Sequence, residues 1–265
     1  MEREVRSRIE LDVTETADLV LSVAVSAHYE PDHETFAATL DGARIATSEF
    51  QDHNGTRLHR VSVPPGTFVA EYHARILGEG AHTIGRDYDL FSYRLPSRYV
   101  ESDTLAPTAL AEFDGIDDEV DLLAAVSSWV GTRLDYVPGA SRPTDGAVRT
   151  LLGRQGVCRD YAHLCIALLR ARGVAARFAS VYAPGLAPME FHAVAEAWVD
   201  GAWRVVDATA LAPRQTLLRI ATGRDAADTA FLTVLSGRAD LTSIEVTAVA
   251  DALPADDVTE LVSIR

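Results

Sequence analysis

Asp200-Gly201 lies between Trp198-Val199 and Ala202-Trp203. An Asp-Gly pair flanked by apolar residues is a strong signal for a two-residue β-hairpin. If Val199 faces Ala202, the rest of the register follows, with Val194 facing Asp207 and His192 facing Thr209. Directly opposed residues share one side of a sheet. His192 and Asp207 are then diagonal neighbours on one face, about 7 Å apart at the backbone, close enough for their side chains to hydrogen-bond. A loop of odd length would reverse the parity and separate them.

The segment around this hairpin reads as helices followed by a strand meander. Apolar residues recur at helical spacing over Ile116 to Leu134, with Leu122, Leu123, Val126, Trp129 and Val130 on one broad face, and Tyr136-Val137-Pro138-Gly139 ends the run. A short helix is expected over Asp145 to Leu152. A longer one is expected over Cys158 to Arg172, closed by Gly173. Val174 to Tyr182, His192 to Val199 and Trp203 to Ala208 read as strands. That order is α+β rather than alternating βαβ.

The first hundred residues differ. Arg8 to Val13, Leu19 to Val25, Thr35 to Leu40, Ala43 to Thr47, Leu58 to Val63 and Thr67 to Ile76 are strand candidates, with turns at Asp41-Gly42 and Pro64-Pro65-Gly66. Short strands with regular turns suggest a small β-sandwich. The composition changes near Leu95-Pro96-Ser97-Arg98, so the expected division is 1–98, a β-rich unit, and 99–265, an α+β unit.

Cys158 stands where the run Gly153-Arg154-Gln155-Gly156-Val157 turns into a helix. Unpaired N–H groups at a helix N-terminus favour an anion, and the thiolate is the reactive form of cysteine. Most free cysteines are simply small buried hydrophobes, and Cys165, among Leu164, Ile166, Leu168 and Leu169, fits that description. Seven residues along one helix place the two sulfur-bearing positions about 10 Å apart, too far for a disulfide. Two free thiols suit a reducing compartment, and two cysteines without a second pair do not make a structural zinc site. His192, at a strand mouth behind the loop-like Pro184 to Phe191, is placed to act as a general base. Asp207 follows the apolar run Trp203 to Val206, where burial demands a partner.

Gly156-Val157-Cys158-Arg159-Asp160-Tyr161-Ala162-His163-Leu164 resembles the nucleophile motif of bacterial transglutaminase-like proteins. Phe191-His192-Ala193 and Trp203-Arg204-Val205-Val206-Asp207-Ala208 resemble that family's histidine and aspartate motifs, in the family's order. Gly223 to Asp228 and Tyr93 to Tyr99 resemble further segments of one bacterial branch. Two departures stand out. Val194 lies where such proteins usually carry tryptophan, and Val206 precedes the aspartate where an aromatic is common.

The resemblance implies a papain-like core, with the thiol on a helix packed against an antiparallel sheet that carries the histidine and aspartate. It implies a Cys158–His192–Asp207 triad performing acyl transfer through a thioester. The Cys158 N–H and one further donor, for which Gln155 is a candidate by proximity, would form the oxyanion hole, and Tyr161 and His163 are candidate pocket residues. A peptidase or amidase, a transglutaminase with an amine acceptor, and a non-catalytic binding module that kept the fold all remain open.

No cofactor is implied. The formal net charge of −15 disfavours nucleic acid and anionic membranes. His28, His33, His53, His59, His73 and His82 show no metal-ligand spacing and read as surface residues. The charged start Met1-Glu2-Arg3-Glu4-Val5-Arg6 lacks the apolar segment of a signal peptide, so a cytoplasmic protein acting on a peptide or protein is expected. The oligomeric state is left open.

Overall fold

The computed structural model describes residues 1–265. Its first sheet is antiparallel and curled, built from β1 (Glu2–Leu21), β2 (His33–Leu40), β3 (Ala43–Arg44), β4 (Ser48–Gln51), β5 (Arg57–Val63) and β6 (Gly66–Leu77). The two strands expected over Arg8–Val13 and Leu19–Val25 are a single strand, β1. It pairs with β6 over Glu2–Val13 and then with β5 over Ala17–Leu21. The polar stretch Thr14-Glu15-Thr16 marks the irregular pairing between those halves rather than a break in the chain. The apolar positions of β1 alternate inward on both sides of that irregularity, which keeps one buried face continuous.

The second unit starts with α1 (Asp87–Ser92), α2 (Ala106–Glu112) and α3 (Glu119–Arg133). Asp118 caps α3, accepting from the Val120 and Asp121 N–H groups at 2.8 and 3.0 Å. β7 (Asp135–Tyr136) and β8 (Gln155–Gly156) form a small parallel pair around α4 (Ala147–Gly153). α5 (Cys158–Ala171) follows, buried on nearly every side. It packs on a four-stranded antiparallel sheet of β9 (Ala176–Tyr182), β10 (His192–Val199), β11 (Ala202–Val206) and β12 (Leu218–Gly223), in the order β11-β10-β9-β12. Ala193, Ala195, Ala197 and Val199 of β10 meet α5 in one core. Their small side chains let the helix approach the sheet closely.

Glu196, on the alternate set of β10 positions, is fully buried between Arg177 and Arg219. It accepts from Arg177 Nε at 2.8 Å and from both terminal nitrogens of Arg219 at 2.6 and 2.7 Å. Burial works against this carboxylate, but the two guanidiniums outweigh it and hold its pKa down at about 2.

The division at residue 98 does not describe how the chain is shared between the sheets. β13 (Leu232–Ala250) returns to the first sheet and pairs with β1 from Arg3↔Ala250 to Leu21↔Leu232. Gly237 sits at the bend of β1, where a Cβ would meet the Thr16 carbonyl oxygen at 2.1 Å. Tyr182, Leu218 and Ile220 of the second sheet belong to the core of the first. The Tyr182 hydroxyl reaches Ser7 Oγ at 3.0 Å and donates to the Val23 carbonyl at 2.8 Å.

The histidines of the first unit are not all on the surface. His59 is 3% exposed, stacked on Phe36 with ring centroids 3.8 Å apart. His28 is half-buried, and burial together with Arg219 and Arg177 depresses its pKa to about 4. No helix is long and apolar enough to cross a membrane.

Candidate active site

The hairpin follows the register fixed by its turn. Asp200 and Gly201 take φ of 52° and 67°, the left-handed pair a tight turn requires, and pairing runs from Val199↔Ala202 to Ala195↔Val206. Asp207 lies one residue beyond that ladder, and His192 opens β10. Their side chains meet, with His192 Nε2 to Asp207 Oδ2 at 2.9 Å, both residues buried. The other carboxylate oxygen is held by Thr209, whose N–H and hydroxyl donate to Oδ1 at 3.0 and 2.6 Å. Thr209 is a part of the site that sequence reasoning missed, although Asp-x-Thr is a readable side-chain turn.

Burial presses against a charged imidazole, but the Asp207 charge and hydrogen bond outweigh it, with Cys158 adding in the same sense. The His192 pKa is raised to about 10. Asp207 is held below the usual carboxylate range: burial would raise it, and the His192 charge and hydrogen bonds more than compensate. His192 Nδ1 is buried with no hydrogen-bond partner, and Cys158 lines the same cavity as His192. Loose geometry of this kind is common before substrate arrives.

Cys158 is the first residue of α5 and 9% exposed. Its setting is built by Asp160, which reaches back to accept the Val157 N–H at 2.8 Å and is itself held by the Ser141 hydroxyl at 2.9 Å. Gly156 is required here, because a Cβ would meet Asp160 Cβ at 2.6 Å. Cys165 is buried at 1% exposure; its pKa is pushed far up by burial and by Asp207.

Tyr136 is the second residue missed from sequence. The parallel pairing Tyr136↔Gly156 brings it beside Cys158. Burial, the charge of Cys158 and Glu190 push its phenol up, while the Cys158 N–H acts on it in the opposite sense. Its hydroxyl donates to Glu190 Oε1 at 3.3 Å. Only the non-local β7–β8 pairing creates this placement, and a two-residue strand leaves no pattern in the sequence.

Neither Tyr136 nor the candidates Gln155, Tyr161 and His163 line the cavity beside Cys158. Gln155 is exposed on β8. Tyr161 donates to the Leu134 carbonyl at 2.8 Å and packs on Tyr136. His163 is fully buried between Tyr99 and Phe178 and accepts the Ala226 N–H at Nε2, 3.1 Å away. Burial and two nearby arginines depress its pKa to about 3, so it stays a neutral acceptor holding that loop. The Tyr93–Tyr99 and Gly223–Asp228 segments meet here, with the Tyr99 N–H donating to Asp225 Oδ2 at 3.0 Å. No group of three His, Cys, Asp or Glu side chains is placed to hold a metal ion.

The family model for the transglutaminase-like superfamily matches residues 107–208, which contain Cys158, His192 and Asp207. A solved structure from Cytophaga hutchinsonii, titled as a candidate cysteine protease, is 30% identical with a TM-score of 0.88, covering 98% of this chain and 95% of that one. The chain belongs to the transglutaminase-like superfamily. An uncharacterized protein of Mycobacterium leprae is 30% identical over 128 residues, and one of Mycobacterium tuberculosis is 41% identical over 63 residues. The matches span 45% and 20% of those two relatives and 44% and 24% of this chain. As a member of this superfamily the protein has the fold of a cysteine-type enzyme family and carries the mixed α+β core with a curled antiparallel sheet.

Proposed function

We propose that this protein is a cysteine-nucleophile acyl-transfer enzyme that cleaves amide bonds of a peptide or protein through a thioester. One observation carries the reading: His192, in a buried 2.9 Å contact with Asp207, lines one cavity with the helix-N-terminal Cys158. In the first step the Cys158 thiolate attacks the carbonyl carbon and the C–S bond forms. The Cys158 N–H would donate to the oxygen that becomes negative, and the Tyr136 hydroxyl, turned away from Glu190, would be the second donor. The C–N bond then breaks as His192 Nδ1 gives its proton to the leaving amine. Water or a second amine attacks the thioester, its proton passes to His192, and the C–S bond breaks. Asp207 stays ionised and stabilises the imidazolium throughout.

Hydrolysis gives a peptidase or amidase, which we favour; capture by a lysine-like amine gives a transglutaminase. Two free thiols suit a reducing compartment, and we assign the protein to the cytoplasm.

Iodoacetamide titration of the intact protein across pH, beside Cys158→Ala and Cys165→Ala, tests the nucleophile. Rapid alkylation of a single thiol, lost in Cys158→Ala and kept in Cys165→Ala, is expected. Ordinary slow thiol behaviour would leave a non-catalytic binding module as the better description. Release of free amine against incorporation of a labelled amine into a glutamine peptide then separates hydrolysis from transamidation.

A further inference from the structure

The cavity beside Cys158 holds about 300 Å³, and much of its wall lies outside the residues matched by the family model. Phe178, Phe191, Phe231, Ile220 and Leu232 make it largely apolar. Three hydroxyl-bearing residues, Ser22, Ser180 and Thr229, also line it, their oxygens turned into the wall. Each oxygen is a buried polar atom with no hydrogen-bond partner. Ser22 is 1% exposed and Thr229 5%. They come from three separate places, just past β1, within β9, and on the loop after β12, so no single turn accounts for their convergence.

A buried hydroxyl is costly unless something bonds it. An apolar cavity with a few converging polar groups is the usual form of a ligand site. Neither carboxylate nor ammonium lines this one. Besides His192, the charged group on its wall is Arg159, whose Nη2 donates to Ser141 Oγ and the Arg142 carbonyl.

We propose that this cavity is the specificity pocket for the acyl side of the substrate. It would take an uncharged side chain with an apolar body and a hydrogen-bonding tip, for which tyrosine is the matching residue. The ring would lie among the three phenylalanines, where offset and edge-to-face contacts are favourable. Its hydroxyl would pair with Ser22, Ser180 and Thr229 as their side chains rotate toward it, and phenylalanine would leave them unpaired. The inference rests on the acyl-transfer reading and names the substrate class for the same site.

The test uses dipeptidyl acyloxymethyl ketones, which alkylate an active thiol as the Cys158 sulfur displaces the carboxylate. Tyr, Phe, Glu or Lys is placed in either acyl-side position, with Gly in the other, and labelling of Cys158 in the full chain is followed by intact mass. In one of the two placements the Tyr probe should react at least about tenfold faster than the Phe probe, the equivalent of one neutral hydrogen bond. That ratio should fall towards one in Ser22→Ala and Thr229→Val, and in Ser180→Ala as a third variant, on β9. A ratio within one protein does not depend on how much of the variant is folded. Equal or faster labelling by Phe, a Tyr/Phe ratio untouched by the variants, or fastest labelling by Glu or Lys would overturn the pocket assignment and leave acyl transfer standing. Failure of every probe, while iodoacetamide still modifies Cys158 as an ordinary thiol, would sink both.

Discussion

Asp207→Asn keeps the size and shape of the side chain and removes its charge. In the native site, burial works to neutralise the imidazole, yet His192 is raised from 6.5 to about 10, chiefly by Asp207. A rise of that size is worth roughly 5 kcal/mol in favour of the imidazolium. With asparagine the desolvation of His192 is left unopposed by its main partner, and its titration should fall to 6.5 or below. Losing most of that stabilisation should lower kcat/KM by about 10³ to 10⁴. Nitrogen-15 NMR of labelled histidine from pH 5 to 10.5 reads the titration directly, and the same series in Cys158→Ala isolates the share due to Asp207. The linkage signs also fix a stability window. A raised histidine contributes stability that is complete below about 6.5 and lost as pH rises through about 10. A lowered aspartate contributes stability present above about 3.8 and lost as pH falls through its depressed value. The difference in unfolding free energy between native and variant proteins should therefore be largest between about pH 4 and 6.5 and shrink towards pH 10. His192 titrating above pH 8 in Asp207→Asn, or activity falling less than tenfold with His192 neutral, would refute this account.

Three further outcomes are expected. Alkylation of the native protein should modify Cys158 alone, with Cys165 reacting only after denaturation; peptide mapping by mass spectrometry checks this. Tyr136→Phe should lower kcat by about 10 to 10² with little change in melting temperature, because it removes one hydroxyl beside the Cys158 N–H; steady-state kinetics on a peptide amide decide it. Glu196→Gln should cost about 3–5 kcal/mol in urea unfolding, since two buried guanidiniums lose their shared charge partner.

What could be read from the sequence was what depends on near neighbours. Asp200-Gly201 is a local turn, and it carries His192 and Asp207 into contact by parity alone. Gly156-Val157-Cys158 with Asp160 is a local cap, and it sets the thiol at the start of α5. The features that escaped are non-local. Tyr136 reaches Cys158 through a pair of two-residue strands separated by α4. β13 is an edge strand of 19 residues with few buried positions, so it shows no clean alternation, and its partner lies more than 200 residues away. His59 looked like one polar residue among many, and Phe36, from a strand separated from its own by two others in the sheet, stacks on it.

The β-rich unit acquires a role from where its longest ladder stops. β1 ends at Leu21 and β13 begins at Leu232, and these two residues are paired. Ser22 and Phe231, one step beyond each, are joined by a backbone hydrogen bond of 2.9 Å, and both line the cavity beside Cys158. The outermost pairing that closes the first sheet thus also fixes one wall of the chamber, while α5 and β10 fix the wall that bears the thiol and the imidazole. A curled sheet tied to the core by Tyr182 and Arg219 cannot drift relative to Cys158 without breaking buried hydrogen bonds to Val23, Tyr29 and Ser26. On the proposed reading the first unit would select what is presented to the sulfur and the second would perform the reaction, so changes in the Ser22 wall should alter preference among substrates before they alter the chemistry itself.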